Sequence, residues 1–238
     1  MKKVIVLLTW NRLEKLSNTL NKLRNQTDND FHVHISNANL DPNAVKKIDT
    51  TSSFYAKNGM SLSVTHDGNE YSCFRRFFIA RDYASQGYEV VFFLDDDISV
   101  PQNYIKNMLK QYRPGSYHSC YAWRFKKDPK DYWKDRTKVF DNDTKIHYGG
   151  AGISMTDARI FQDPRLFYVI NDLAYQIDDL WMSFYCNYIA NIDIVYTNIS
   201  GVSIGGQDPA ALYKHLRNAN GDKKSQFLNQ LIDAGWKL

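Results

Sequence analysis

The chain has 238 residues, 43% of them hydrophobic, with 30 Lys and Arg set against 26 Asp and Glu for a net charge of +4. A chain of this size and makeup can bury a core without staples, which excludes disordered, fibrous and disulfide-framed classes. The excess positive charge gathers only in residues 124–138 and 214–224, too diffuse for the concentrated basic face and reading module that nucleic acid demands, so no nucleic-acid partner is expected.

Residues 4–8 are a continuous apolar run of strand length, and Leu13, Leu16, Leu20 and Leu23 then recur at helical spacing. The run stops at Thr9-Trp10-Asn11-Arg12, too short for the core of an export signal, and no other run approaches the roughly 20 apolar residues of a membrane span. A soluble, cytoplasmic protein is the expectation. It agrees with three scattered cysteines, Cys73, Cys120 and Cys186, which have no metal-type spacing and read as reduced core thiols.

Residues 31–35 resume a strand and open into the polar turn Ser36-Asn37-Ala38-Asn39-Leu40-Asp41-Pro42, completing a β-α-β unit of the size of a parallel crossover. A short helix is expected at 43–48, a third strand at 62–64, and a broadly apolar helix through Phe74, Phe77, Phe78 and Tyr83 that ends at Gly87. Residues 89–94 are apolar on both faces, the mark of a central parallel strand covered on both sides. Pro101 starts a helix that Pro114-Gly115 breaks; residues 116–125 are aromatic and strand-like; residues 126–143 form a polar excursion; and Gly149, Gly150 and Gly152 form a flexible turn. A wide apolar helical face (Ile177, Leu180, Trp181, Phe184, Tyr185, Tyr188, Ile189) starts beside Asp178 and Asp179, followed by a strand at 192–196, a loop at 201–209 and a last helix around Phe227 and Leu231. No repeat or linker interrupts this order, so one α/β domain over residues 1–238 is expected.

The central strand runs into Asp95-Asp96-Asp97. Strand alternation predicts that Asp95 and Asp97 project together and that Asp96 points away, making Asp96 the residue whose loss should touch metal coordination least. Ligands of open parallel sheets bind beyond the carboxyl ends of the strands, where this Asp-x-Asp sits. Hard carboxylate oxygens suit Mg²⁺ or Mn²⁺ shared with a phosphate-bearing ligand, and a diphosphate leaving group is the obvious use. The plainer alternative is a solvated triplet that caps the next helix.

Five segments in order resemble the family 2 glycosyltransferases and related enzymes of the GT-A fold, over residues 4–190. Thr9-Trp10-Asn11-Arg12 resembles that family's turn after the opening strand, and Asn69 with Ala80-Arg81-Asp82 is similar to its later Asn-x-Gly and Ala-Arg-Asn segment. Phe93-Leu94-Asp95-Asp96-Asp97 resembles its metal and nucleotide motif, Gly149-Gly150-Ala151-Gly152 its glycine loop near the donor sugar and acceptor, and Ile177-Asp178-Asp179-Leu180-Trp181 its late acidic pair opening a helix.

The resemblance implies a mainly parallel central sheet flanked by helices, with residues 1–100 as the nucleotide-binding half and 101–238 as the acceptor-binding half with the C-terminal helices. It implies a Mn²⁺- or Mg²⁺-dependent transfer of a sugar from a nucleoside diphosphate, a UDP-sugar being favoured, to a hydroxyl of a glycan or lipid-linked acceptor. Thr9 and Arg12 would lie at the base, Asn37 on its edge and Arg81 near the nucleotide. Asp95 would lie at the ribose, Asp97 with Asp95 at the metal, and Asp96 beside them. Gly149, Gly150 and Trp181 would approach the donor or acceptor sugar, and Asp179, with Asp178 beside it, would be the base of an inverting reaction.

Two features depart from the pattern. The family usually has an aspartate after its second strand, where Ser36-Asn37-Ala38-Asn39 stands here, and an amide reads a base edge differently from a carboxylate. The stretch from Asp178 to Phe184 looks as near to retaining, exostosin-like enzymes as to inverting ones. A sugar-nucleotide nucleotidylyltransferase would share the β-α-β plan, but Thr9-Trp10-Asn11-Arg12 is not a glycine-rich triphosphate cradle with a lysine. An inactive glycan-binding domain is opposed by the presence of both Asp97 and Asp179. Trp123, Tyr132 and Trp133, in and beside the polar excursion, either stack on a sugar or pack inside. The basic stretches leave open a peripheral contact with an acidic membrane surface that carries a lipid-linked acceptor.

Overall fold

The computed structural model describes residues 1–204, 215–218 and 221–238. The chain opens with β1 (Lys3–Thr9), α1 (Leu13–Arg24), β2 (His32–Asn37), α2 (Pro42–Lys57), β3 (Leu62–His66), α3 (Arg75–Ser85) and β4 (Val90–Asp95). It continues through β5 (Ile98–Ser99), α4 (Tyr104–Gln111), β6 (Tyr117–Ser119), β7 (Ala122–Phe125), β8 (Arg136–Lys138), β9 (Tyr148–Gly149) and β10 (Ile153–Asp157). Then come α5 (Leu173–Gln176), α6 (Asp178–Phe184), β11 (Ile194–Tyr196) and α7 (Lys223–Asp233). Beyond residue 204, the loop expected at 201–209 lies outside the described residues.

Seven strands form the central sheet in the order β11-β6-β10-β4-β1-β2-β3, and only β10 runs against its neighbours. The continuous apolar runs follow from this placement, because period-two alternation sends successive residues into two different cores. Val4, Val6, Leu8, Val91 and Phe93 enter the core beneath α3, α6 and α7. Ile5, Leu7, Val90, Phe92 and Leu94 enter the other, with Leu16, Leu20 and Leu23 of α1 and Tyr104, Ile105 and Met108 of α4. The register pairs Leu8 with Asp95 and Thr9 with Asn37, so β1, β2 and β4 end along one edge.

Three expectations change. Helix α2 runs for 16 residues where a short helix at 43–48 was expected; Ala44, Ile48, Ser52 and Tyr55 make its buried face, but the run Thr50-Thr51-Ser52-Ser53 dilutes that signal with weak helix formers. Asp41 starts it by accepting from the backbone N–H groups of Asn43 and Ala44. The polar excursion at 126–143 is built around β8, which pairs with β7 in a second sheet of order β8-β7-β9. The late helix is α6 alone, after which the backbone widens to a π turn over Tyr185–Ile189.

His34, His118 and His147 are buried, and burial lowers each imidazole from 6.5 to about 4. His118 Nε2 accepts the backbone N–H of Arg113 at 3.0 Å, which requires that nitrogen to be unprotonated. A depressed folded value means that the stability His118 contributes is full above 6.5 and is lost as pH falls toward 4, the unfolded chain then holding the extra proton. Denaturant titrations of the wild type and His118→Gln between pH 4 and 6.5 should differ in slope by up to roughly 1.4 kcal/mol per pH unit. Parallel curves would contradict a neutral, buried His118.

Candidate active site

The carboxyl ends of β1 and β4, the start of α6 and the second sheet enclose a cleft of about 630 Å³. At one end, Thr9 and Arg12 close on the aspartate triplet. Thr9 Oγ1 donates to Asp96 Oδ2 at 2.9 Å, and Arg12 reaches Asp96 Oδ1 at 2.7 Å and Asp97 Oδ2 at 2.5 Å. Asp96 is only 1% exposed, and Thr19 of α1 donates to its carbonyl at 3.0 Å. The expected alternation stops short here, because β4 ends at Asp95 and the chain turns at Asp96 and Asp97. Asp96 is thus no spectator: it ties β4 to β1 and α1. Burial pushes its carboxyl up to about 7 against the pull of Arg12 and Thr9. Burial, then the nearby Asp95 charge, raises Asp97 as well.

Asp95 lies at the middle of the cleft. Its Oδ1 accepts from Arg76 Nη2 at 2.9 Å, and Arg76 Nε lies 2.9 Å from Asp178 Oδ2. One buried guanidinium therefore joins the strand-end motif to the helix-start pair, 83 residues further along the chain. Gly152 is needed at this point, since a Cβ there would overlap the Asp95 carboxylate. Asp95 N also donates to the Gly152 carbonyl at 2.9 Å.

At the far end, Asp179 Oδ1 accepts the Leu180 backbone N–H at 2.8 Å. Its Oδ2 accepts from Lys224 Nζ of α7 at 3.1 Å and from the Tyr148 hydroxyl of β9. Burial alone raises the Asp179 carboxyl, but the Lys224 charge and these hydrogen bonds outweigh it and hold the group below the usual range. Asp178 behaves oppositely: burial pushes it up to about 7 in spite of Arg76. Of the pair, Asp179 is the more open, with 19% of its side chain exposed against 7% for Asp178.

Thr9, Arg12, Asp95, Asp96, Asp97, Gly150, Asp178 and Asp179 all line the cleft, but four residues named from the sequence do not. Asn37 is fully buried, its amide donating to the Asn39 carbonyl at 2.6 Å and facing His66 at 3.0 Å. Arg81 sits on the exposed side of α3, stacked on Phe167 and Phe78; Arg75 and Arg76, about a turn and a half earlier, are the arginines on the cleft wall. Gly149 packs inside, where a Cβ would crowd Tyr117, Ile194 and Ser119. Trp181 is a core residue whose Nε1 donates to the Leu166 carbonyl at 2.7 Å.

Sequence reasoning passed over Arg75, Arg76 and Lys224. The first two carried a signal: two arginines inside the run from Phe74 to Phe78 must be buried with partners if that helix is buried. Lys224 carried none, since it stands in a basic stretch that reads as solvated. Trp123, Tyr132 and Trp133 line the cleft, although Tyr132 is also buried in the core.

Asp95 and Asp97 are the two carboxylates of the triplet that are more open to the cleft. No cluster of three or more His, Cys, Asp or Glu ligands occurs among the described residues. Two carboxylates side by side in a cleft fit a hard cation that completes its shell from water and a diphosphate, as Mg²⁺ and Mn²⁺ do. The residues present fit the ion on that basis.

The mainly parallel sheet, with acidic groups at the end of β4 and the start of α6 on one cleft, defines the GT-A class of glycosyltransferase folds. The chain belongs to glycosyl transferase family 2, whose model matches residues 4–183. A comparison with curated proteins finds no match. Among solved structures, the fold is similar to the mannosyltransferase PcManGT from Pyrobaculum calidifontis in complex with GDP-Man and Mn²⁺, with 12% identity and a TM-score of 0.60, covering 88% of this chain and 58% of that one. It is also similar to S. aureus TarS in complex with UDP, with 16% identity and a TM-score of 0.55, covering 83% of this chain and 59% of that one. This chain therefore spans about three fifths of the length of these structures. Among the described residues no helix is long and apolar enough to cross a membrane.

Proposed function

We propose that the protein transfers a glycosyl group from a nucleoside diphosphate to an acceptor hydroxyl, with Asp179 as general base. The observation that carries this reading is that Asp95, Asp97 and Asp179 line one cleft in a chain of glycosyl transferase family 2. Thr9, Arg12 and Asp96 shape the nucleotide end, and the ligands of PcManGT and TarS, GDP-Man and UDP, support a nucleotide-sugar donor here. Asp95 and Asp97 would hold Mn²⁺ or Mg²⁺, which when bound neutralises charge on a departing diphosphate.

The remaining chemistry belongs to the chain. Asp179, ionised at the mouth of its pocket, takes the proton as the acceptor oxygen forms its bond to the anomeric carbon and the bond from that carbon to the diphosphate breaks. Lys224 and Tyr148 hold the carboxylate in place through Oδ2. Attack opposite the leaving group inverts the anomeric centre, which NMR of the product tests.

Thermal melts with Mn²⁺ and UDP, GDP and the other nucleoside diphosphates give a direct check. At least one should raise the melting temperature of the wild type, and Asp97→Ala should lose the metal-dependent part of that shift. At a hundred times the dissociation constant, bound nucleotide adds roughly 2.7 kcal/mol, well within detection. No stabilisation by any diphosphate with metal would sink the proposal.

A further inference from the structure

Cations and aromatic rings alternate along the second sheet: Tyr121, Trp123, Tyr132 and Arg136 line the cleft, and the exposed Lys138 continues the row outside that lining. Lys138 of β8 lies 4.9 Å from the Tyr121 ring, and Tyr121 stacks on Trp123 of β7 at 6.0 Å between centroids. The Arg136 guanidinium lies 4.7 Å from the Trp123 ring and 4.0 Å from that of Tyr132, whose hydroxyl accepts from Arg136 Nη1 at 2.6 Å. Lys224, 4.8 Å from the other side of the row at Tyr132, ends it on Asp179.

The cations of the cleft and of this row are not equivalent. Arg12, Arg76 and Lys224 are matched by aspartates, and buried Arg75 is engaged by Ser36 Oγ and by backbone carbonyls. Arg136 and Lys138 have no carboxylate in an ion pair among the described residues, and their contacts are aromatic. A guanidinium laid on rings keeps its full charge, and its remaining N–H groups form a planar fork suited to carboxylate or phosphate. Trp123 and Tyr121 beside it offer the flat apolar faces on which sugar rings stack. Strand β8 is what brings Arg136 and Lys138, two residues apart, to one face of the second sheet.

We propose that this track from Lys138 through Arg136 to Asp179 is the acceptor subsite and that it selects an acceptor bearing an oxyanion, a carboxylate or a phosphate, close to the hydroxyl that reacts. The inference rests on the glycosyl-transfer reading for the direction of the track, and it adds the chemical class of the acceptor. A neutral acceptor would leave Arg136 without a counter-charge in a cleft walled by aromatic rings, whereas an oxyanion there gains charge-assisted hydrogen bonds that a neutral sugar lacks.

The test titrates tryptophan fluorescence of the full chain with two matched pairs: trigalacturonate against its methyl ester, and maltotriosyl phosphate against maltotriose. At least one charged member should bind about tenfold to a hundredfold more tightly than its neutral partner, the preference weakening as salt is raised. A preference in the first pair alone assigns a carboxylate, and in the second alone a phosphate. Arg136→Met should remove the preference and Arg136→Lys should keep part of it. Lys138→Met, at an exposed position, should weaken it. Equal affinities within both pairs, no binding of either charged member, or a preference that survives both methionine variants overturns the proposal. Nucleoside diphosphate melts run in parallel keep the two readings apart. A wild type that binds charged trisaccharides but no nucleotide contradicts glycosyl transfer and leaves the anion track standing.

Discussion

Asp179→Asn should cost roughly 10²–10⁴-fold in kcat while nucleoside diphosphate binding persists, because Asp179 is held by Tyr148, Leu180 and Lys224 and not by the Thr9 and Arg12 end proposed for the nucleotide. The same substitution should also lower stability, for a reason visible in the contacts. Burial disfavours the Lys224 ammonium, and the Asp179 carboxylate more than restores it. An asparagine keeps an oxygen for the Leu180 N–H but turns its amide toward Lys224 and the Tyr148 hydroxyl, both of which donate to Asp179. That leaves a buried cation with the Tyr132 hydroxyl and ring but no counter-charge, at a cost of up to roughly 3–5 kcal/mol.

The two effects separate in the double variant. Adding Lys224→Met to Asp179→Asn removes the stranded charge, so the melting temperature should recover most of its loss while transfer stays lost. Recovery of both activity and melting temperature would show that Asp179 serves the fold and not the reaction.

Arg76→Met should also cost the protein much of its stability. Arg76 is 3% exposed along its side chain and lies 2.9 Å from both Asp95 and Asp178. Burial opposes its charge, and Asp178 and then Asp95 raise it above the ordinary arginine value. Its removal leaves two carboxylates facing each other across the cleft, one of them buried, and breaking such a pair costs roughly 3–5 kcal/mol. For a chain of this length that corresponds to about 10 °C in melting temperature, read by calorimetry. Asp178 can take up a proton once the arginine is gone, so the deficit should narrow as pH is lowered. A melting temperature within a degree or two of wild type would contradict the bridging role given to Arg76.

The parts of this arrangement that were legible in the sequence are those where a local pattern decides the outcome. The apolar runs of β1 and β4 and the leucine spacing of α1 report burial directly, and Asp95–Asp97 and Asp178–Asp179 sit where a strand ends and a helix begins. The parts that were hidden depend on long-range pairing. Arg76 joins motifs whose sequence positions say nothing about their contact, and Lys224 arrives from α7, beyond the matched family segment at 4–183. Arg136 and Lys138 looked like solvated charges of a polar excursion until β8 paired with β7 and laid them beside Trp123. Arg81 shows the reverse error: it resembles a motif arginine, yet helical geometry turns it outward onto Phe167 while Arg75 and Arg76 turn inward.

Asp96 illustrates how a sound rule can stop one residue early. Alternation holds through Asp95, the last residue of β4, and then the backbone turns. Asp96 falls under Thr9 and Arg12 and becomes the best-buried of the three aspartates, so the triplet divides into one carboxylate that braces the fold and two that are more open to the cleft.

The central claim is that Asp95, Asp97 and Asp179 act on one nucleotide sugar in one cleft. It is tested most directly by incubating the wild type with a panel of nucleotide sugars, with and without Mn²⁺, and measuring release of the nucleoside diphosphate alongside the Asp97→Ala and Asp179→Asn variants. The account predicts slow, Mn²⁺-dependent release from at least one donor by the wild type and its loss in both variants. Release that is absent from every donor, or that continues undiminished in both variants, would contradict it.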